Sequence, residues 1–283
     1  MQLLLPTAVF VLMISIGMSL RTSELIDNWR ALTWGMWLRL LLATFILPPA
    51  IALLLARMLS LNLGETAGLF LVGATPGAPL LTRNLARRGF DMHLAASYQV
   101  WGALLTPVMI PPMVLVAAKL YSRNIWIPPR LLLWQIAEKE FLPLLLGIAL
   151  MRFAPAFSTK AQPKANMIGN AALFLVFAVM LWKMGPALKV VTLWTVLAAM
   201  LLAIACVGLM YALLRTDKVR VRTLAVSNAN RHVGLALLLS GRYTHSRFAL
   251  PVVACYALSV AVLMALAQRI FRPRHIATKT AVA

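Results

Sequence analysis

The stretch that decides the fold is VRTLAVSNANRHVGLALLLSGRY, residues 221–243, which is apolar at both ends and polar in the middle. Its centre, 227–232, reads Ser-Asn-Ala-Asn-Arg-His. Serine and asparagine side chains compete for the hydrogen bonds of the backbone and weaken a helix interior. An arginine that faced lipid would be costly. We therefore expect a membrane helix that is interrupted halfway and whose polar face meets protein or water.

A second interrupted stretch, ETAGLFLVGATPGAPLLTRNLARR, occupies residues 65–88. Pro76, Gly77 and Pro79 stand in its middle, and proline removes a backbone donor and clashes with the preceding turn. We expect this helix to be broken there, which is tolerated at membrane depth only where protein or a watery cavity covers the backbone. Two broken helices in corresponding positions of two halves indicate an inverted-repeat transporter with its site near the bilayer midplane.

Composition agrees with a membrane protein, because 62% of the 283 residues are hydrophobic and 12% are charged. A soluble domain has about half apolar and a quarter charged residues, so a water-soluble enzyme is excluded. The chain has 27 Lys and Arg but 7 Asp and Glu. The basic residues fall mostly in short gaps between apolar runs, where they set orientation, so we expect a lipid bilayer and not nucleic acid as partner.

Nine apolar segments predict an all-α polytopic protein with about nine transmembrane helices. With the N-terminus outside and the C-terminus in the cytoplasm, the inner side carries twice as many basic residues as the outer side, as the positive-inside rule requires. We expect one transporter domain, 1–283, with repeat one at 1–121, repeat two at 130–272 and a short cytoplasmic tail, 273–283. The segments are 3–20, 34–59, 65–86, 92–120, 131–153, 165–185, 190–214, 221–240 and 248–271.

Several of these stretches resemble the bile acid:sodium symporter family, in a divergent bacterial-type form with nine helices. The segment MISIGMSL at 13–20 is similar to a glycine-containing motif of the family, and 46–79 resembles the stretch that ends in its first crossover. Gly234-Leu235-Ala236 matches the Gly-Leu-Ala of the second crossover helix. The resemblance implies a panel and a core, with the two broken helices crossing in the core. It also implies sodium-driven uptake of organic anions across the cell (inner) membrane.

The chain departs from the family at the positions that would hold sodium. The family glutamate of the second crossover corresponds to Ser227 and a glutamine four residues on corresponds to Arg231. Like charges about 4 Å apart repel by several kcal/mol at an effective dielectric constant of about 20. Sodium coupling is therefore not expected, and no other cofactor or metal is predicted. The remaining replaced positions are Leu81-Thr82, Ala95, Gln99 and Thr44 or Ala43.

An arginine at the crossover offers a planar fork of donors that suits carboxylate, sulfate or phosphate. We therefore expect a small-molecule anionic substrate to bind there. An alternative of equal standing is that Arg231 replaces the charge of sodium as a fixed structural cation. The predicted substrate-binding residues are Arg231, His232, Asn228, Asn230, Ser227, Thr82, Asn84 and Gln99.

The sequence is also compatible with other coupling mechanisms and other functions. Protons could replace sodium, with His232 or His93 as carrier, because histidine titrates near roughly pH 6.5; Asp91 is instead expected to cap a helix. Uniport also fits. The motifs of zinc proteases, serine hydrolases and phosphate loops are missing from the sequence, so we do not expect an enzyme. A non-transporting membrane sensor and an efflux carrier of the same superfamily are the alternatives to an uptake transporter.

Overall fold

The computed structural model describes residues 4–19, 33–77, 90–121, 129–183, 191–214, 216–243 and 248–270. Every regular element in these ranges is a helix, and each of the nine predicted segments is represented. In chain order the helices are α1 (Leu4–Met18), α2 (Trp34–Met58), α3 (Leu63–Ala74), α4 (Met92–Tyr121), α5 (129–153), α6 (Pro155–Lys183), α7 (Leu193–Leu213), α8 (Lys218–Ala229), α9 (Val233–Tyr243) and α10 (Ala249–Ile270).

Within the described residues, four helices are long and apolar enough to cross a membrane: Trp34–Met58, Ser97–Leu120, Leu193–Leu213 and Ala249–Leu266. Leu5–Met18 and Leu63–Ala74 are shorter apolar helices. These helices confirm the predicted all-α polytopic class. Helices are favoured in lipid because each one satisfies its own backbone hydrogen bonds.

The sixth helix begins ten residues earlier than its apolar segment. Ala154 alone separates α5 from α6, with φ −136° and ψ 63°, and Pro155 then starts α6. Proline is suited to the first turn because its missing N–H would have no helical partner there. The pattern of apolar residues could not reveal the first turns of α6, because they are polar. The helix start there is explained by Pro155.

The helices form two groups. Helices α1, α5 and α6 pack on one another and make the panel group, whereas α2, α3 and α7 to α10 pack into the core group. Helix α4, which we count with the core group, contacts α3 and α8 and also packs against α5 of the panel group. In the panel group a Cβ on Gly17 would overlap the backbone of Leu144 and Gly147, and one on Gly147 would overlap that of Ile14 and Gly17. Small residues let membrane helices approach this closely, since lipid provides no hydrophobic drive for their association.

The start of α3 is tied to the start of α7 by buried polar contacts. The Asn62 side chain accepts from the Glu65 N–H at 3.0 Å, and the Glu65 carboxylate accepts from the Asn62 N–H at 3.0 Å. This reciprocal capping box satisfies two backbone donors that a helix start leaves without partners. The same carboxylate accepts from the hydroxyl of Thr195 on α7. The N-terminal ends of α3 and α7 therefore lie side by side, at one end of the core group.

Candidate functional site

The two helix breaks lie against each other in the core group. Gly77, just after α3, and Arg231, between α8 and α9, form an isolated antiparallel β-bridge. The His232 N–H donates to the Pro76 carbonyl at 2.8 Å. A backbone that leaves the helix at membrane depth needs new hydrogen-bond partners, and here each break supplies them to the other. The two interrupted segments are thus in contact where each leaves its helix, with the chains running in opposite directions at the contact.

Gly77 makes this close contact possible. A Cβ at this position would overlap the Ser227 carbonyl oxygen and lie 2.9 Å from the Cε1 of Tyr98. Both atoms belong to well-buried residues, so neither has room to withdraw. The glycine is therefore required for space, where the sequence indicated it only as a helix breaker.

Arg231 is the largest fully buried side chain in the described structure. Its Nη1 donates to the carbonyl oxygens of Thr44 and Thr75, both at 2.7 Å, and its Nη2 lies 3.5 Å from the Cys206 sulfur. Hydrogen bonds from a charged donor are the stronger ones, and they offset part of the cost of removing the charge from water. The guanidinium thus sits at the crossing and joins α2, the end of α3 and α7.

Two prolines in α2 explain why the carbonyls of Ala43 and Thr44 are free to accept from the second crossover. A π-turn at 42–46 precedes Pro48 and Pro49, and in that register their missing N–H groups would have paired with the carbonyls of Ala43 and Thr44. The Ala43 carbonyl accepts instead from the Asn228 amide at 3.2 Å, and the Thr44 carbonyl accepts from the arginine. The proline pair therefore creates the acceptors that the second crossover uses.

Asn228 is a junction between four helices. Its Nδ2 also donates to the Cys206 carbonyl at 2.8 Å, and its Oδ1 accepts from the Tyr98 hydroxyl at 2.9 Å. The Tyr98 hydroxyl is 2.9 Å from the Thr44 hydroxyl. Because the Tyr98 proton is used toward Asn228, the Thr44 hydroxyl is the donor in this second bond. A buried polar network with every partner in place fixes one arrangement of the helices around it.

His232 immediately precedes α9 and faces the panel group. Its Nδ1 accepts from the Leu235 N–H at 3.0 Å, so the side chain caps the helix start. Its Nε2 lies 3.5 Å from an oxygen of Glu140, a fully buried residue in a second π-turn, Ala137–Phe141, of α5. Sequence reasoning missed Glu140, although an acid in the middle of a membrane segment is a strong signal of function.

The other predicted site residues differ in burial, and some of them lie outside the described ranges. Ser227 is fully buried on α8, Gln99 is buried on α4, and Asn230 is partly exposed at the break. The expected helix cap is confirmed for Asp91, whose carboxylate accepts from the Leu94 N–H at 3.0 Å. Pro79, Thr82 and Asn84 lie outside the described residues, and so does the side chain of His93.

Comparison with known families identifies the family of this chain. A family model described as the sodium bile acid symporter family matches residues 6–189. The chain belongs to this family. The match confirms the predicted resemblance and identifies an integral membrane transporter. No curated protein matches the chain.

The match to the sodium bile acid symporter family ends at residue 189, so Ser227, Asn228 and Arg231 lie beyond the matched range. Within it lie the proline pair of α2 and the first break at Pro76 and Gly77. The acceptors for the buried cation thus come from the matched part of this family member, and the cation itself comes from the rest of the chain.

Proposed function

We propose that this protein is a secondary transporter that moves a small organic anion across the cell membrane by alternating access, with no sodium bound. The guanidinium of Arg231 acts as the fixed cation at the crossing of the two broken helices. The observation that carries this proposal is the pair of 2.7 Å hydrogen bonds from Arg231 to the Thr44 and Thr75 carbonyls.

Carbonyl oxygens of interrupted membrane helices are the usual ligands for a small coupling cation in transporters. In this protein a protonated side chain already uses them. Arginine stays charged at every physiological pH, and its charge cannot leave the site during a transport cycle. A sodium ion at the same carbonyls would be repelled by the guanidinium, so the sodium gradient has no binding step through which to act.

The same cation gives the crossing a preference for anions. The Nε of Arg231 has no hydrogen-bond partner among the described residues and can donate to a substrate oxygen. The positive end of the α9 helix dipole, at Val233, adds to this field. Partly exposed Asn230 can offer an amide donor from the break itself. The substrate site that we propose comprises Ser227, Asn228, Asn230, Arg231, His232 and Gln99, with Thr82 and Asn84 from the residues after the first break.

Access to this buried site requires the panel group and the core group to move relative to each other. The crossing is held within the core group by Arg231 and Asn228, which bond to several core helices at once. We therefore expect the core group to move as a rigid unit against α1, α5 and α6. The N-terminus is expected outside and the C-terminus in the cytoplasm.

Counterflow in proteoliposomes tests the proposal. Proteoliposomes are preloaded with one unlabelled organic anion, and uptake of the same anion in radiolabelled form is measured. Each anion of a panel is screened in sodium chloride and again in choline chloride. We expect at least one anion to exchange at the same rate in both salts. Exchange that stops in choline chloride would overturn the sodium-free mechanism. Saturable binding without exchange would instead identify a ligand-binding sensor.

The role of Arg231 is tested with Arg231→Ala, and Arg220→Ala serves as its matched control. Arg220 lies on α8 as well, but it is exposed and pairs with Asp217. We expect exchange to be lost in Arg231→Ala and retained in Arg220→Ala, with the two proteins reconstituted at equal amounts. Arg231→Lys keeps a positive charge at the site. Exchange by this variant would show that the loss in Arg231→Ala comes from the missing cation and not from a failure to fold. Full exchange by Arg231→Ala would contradict the assignment.

A further inference from the structure

One carboxyl group of the described chain has no assigned structural role. Five of the seven acids are described, and four of them cap a helix start or pair with a neighbouring side chain. The fifth, Glu140, is fully buried, and neither of its carboxyl oxygens has a hydrogen-bond partner among the described residues. The four with partners are Glu65, Asp91, Glu138 and Asp217.

Glu140 lies near the middle of α5, which contains the predicted membrane segment 131–153. It is the twelfth residue of α5, which places it roughly 16 Å along the helix axis at 1.5 Å per residue. Half the thickness of a bilayer core is about 15 Å. An ionised carboxylate without a donor at that depth costs several kcal/mol, so the closed arrangement favours a neutral carboxyl group that holds its proton.

The group that Glu140 faces is the crossover histidine. Because Nδ1 of His232 accepts from the Leu235 N–H, the proton of the neutral ring is on Nε2. That nitrogen is 3.5 Å from Oε1 of Glu140. A protonated glutamic acid can accept from Nε2–H with this oxygen while its other oxygen carries the proton.

Other charged groups around the π-turn of α5 are directed elsewhere. Helix α1, which packs against it, carries no titratable side chain. On α4, Tyr98 bonds to Asn228 and Lys119 is exposed at the far end. Glu138 and Lys139 of the same turn pair with each other and are partly exposed. On the flanking turns of α5, Arg130 is exposed and Arg152 lies near the last residue of the helix.

We propose that Glu140 and His232 form a proton-binding site between the panel group and the core group, with the carboxyl group of Glu140 carrying one coupling proton. When the groups are closed, the carboxyl group is protonated and shielded from water. When they part, water reaches it, and the proton passes to water and leaves a carboxylate. Each cycle thus binds one proton and releases one proton, and no other reactant is needed.

This inference rests on the proposed anion transport and supplies its coupling ion. The membrane potential opposes the entry of a negative charge into a negatively charged cell. A proton carried with a monovalent anion cancels that charge. Arg231 cannot do so, because it remains in the core group with its proton. The contact between Glu140 on α5 and His232 before α9 joins the two groups that alternating access would separate.

Infrared spectroscopy tests proton binding without any substrate. The protein is reconstituted in lipid nanodiscs, and spectra are recorded between neutral and alkaline pH. We expect the wild type at neutral pH to show the carbonyl stretching band of a protonated carboxyl group, and Glu140→Gln to lack it. The matched control, Glu138→Gln, keeps the band because Glu138 is partly exposed and paired. Wild-type and Glu140→Gln spectra that agree in this region would overturn the proposal.

Transport separates this proposal from the proposed function. With the radiolabelled anion found by counterflow, uptake is driven by a pH gradient, acidic outside. We expect Glu140→Gln to retain counterflow, in which the site need not release its proton, and to lose uptake driven by the gradient. Glu138→Gln retains both. Gradient-driven uptake by Glu140→Gln at the wild-type rate would refute proton coupling. The absence of counterflow in the wild type would refute the proposed transport and leave the infrared test to decide on the proton site.

Discussion

Substitution of Gly77 by alanine probes the crossing of the two breaks most directly. The added methyl group would overlap the Ser227 carbonyl and approach Tyr98 Cε1 at 2.9 Å, so the breaks must move apart. Overpacking a buried site costs about 1–3 kcal/mol. The His232 N–H bond to Pro76 would lengthen or break, for about 1 kcal/mol more. We expect a loss of about 2–4 kcal/mol, or at least about 4 °C in melting temperature for a chain of this size.

The measurement is thermal unfolding of the purified protein in detergent, followed by tryptophan fluorescence. The matched control is Gly208→Ala on α7, where a Cβ meets nothing within 4 Å. Alanine is a better helix former than glycine by roughly 1 kcal/mol, so this control should melt at or above the wild-type temperature. If Gly77→Ala melted at the same temperature as the control, the close contact of the two breaks would be refuted.

Three further predictions use the same assay. Arg231→Met should melt well below Arg231→Lys, because methionine leaves the carbonyls of Thr44 and Thr75 unpaired at about 1–3 kcal/mol each; equal melting temperatures would contradict this. Gly147→Leu should separate α1 from α5 and lower the melting temperature, whereas a wild-type value would show that the helices are not in contact. Thr195→Val should lower the free energy of unfolding by about 1–3 kcal/mol, because it removes the donor to the buried Glu65. Thr195→Ser keeps a hydroxyl donor and should melt close to the wild-type temperature.

The positions of the membrane helices could be read from the sequence because lipid forces every apolar run into helix. The start of α6 could not, since its first turns are polar and are held by the proline start at Pro155. The two breaks were also visible, as prolines in one case and as clustered polar residues in the other. What no local pattern contained was that Gly77 and Arg231 would pair with each other.

The candidate site was predictable only in part. Proline frees a carbonyl in any helix, so Pro48 and Pro49 indicated spare acceptors in α2, but the donors come from residues far away in sequence. The role of Glu140 could not be predicted from its own segment, because its partner His232 lies at the start of another helix. Assigning a role to such a residue requires knowing what faces it across the helix boundary.

The pairing of the two breaks also has a consequence for the order of biosynthesis. The carbonyls of Ala43 and Thr44 enter the membrane early, yet their donors, Asn228 and Arg231, are translated only after more than half of the chain has followed. Until then the nascent first half carries acceptors in the bilayer without partners. A fragment that stopped before α8 would therefore keep these unpaired acceptors in the bilayer, and we expect it to be less stable than the full chain. The hydrogen bonding of the first half of the chain is thus completed only when Asn228 and Arg231 have been translated.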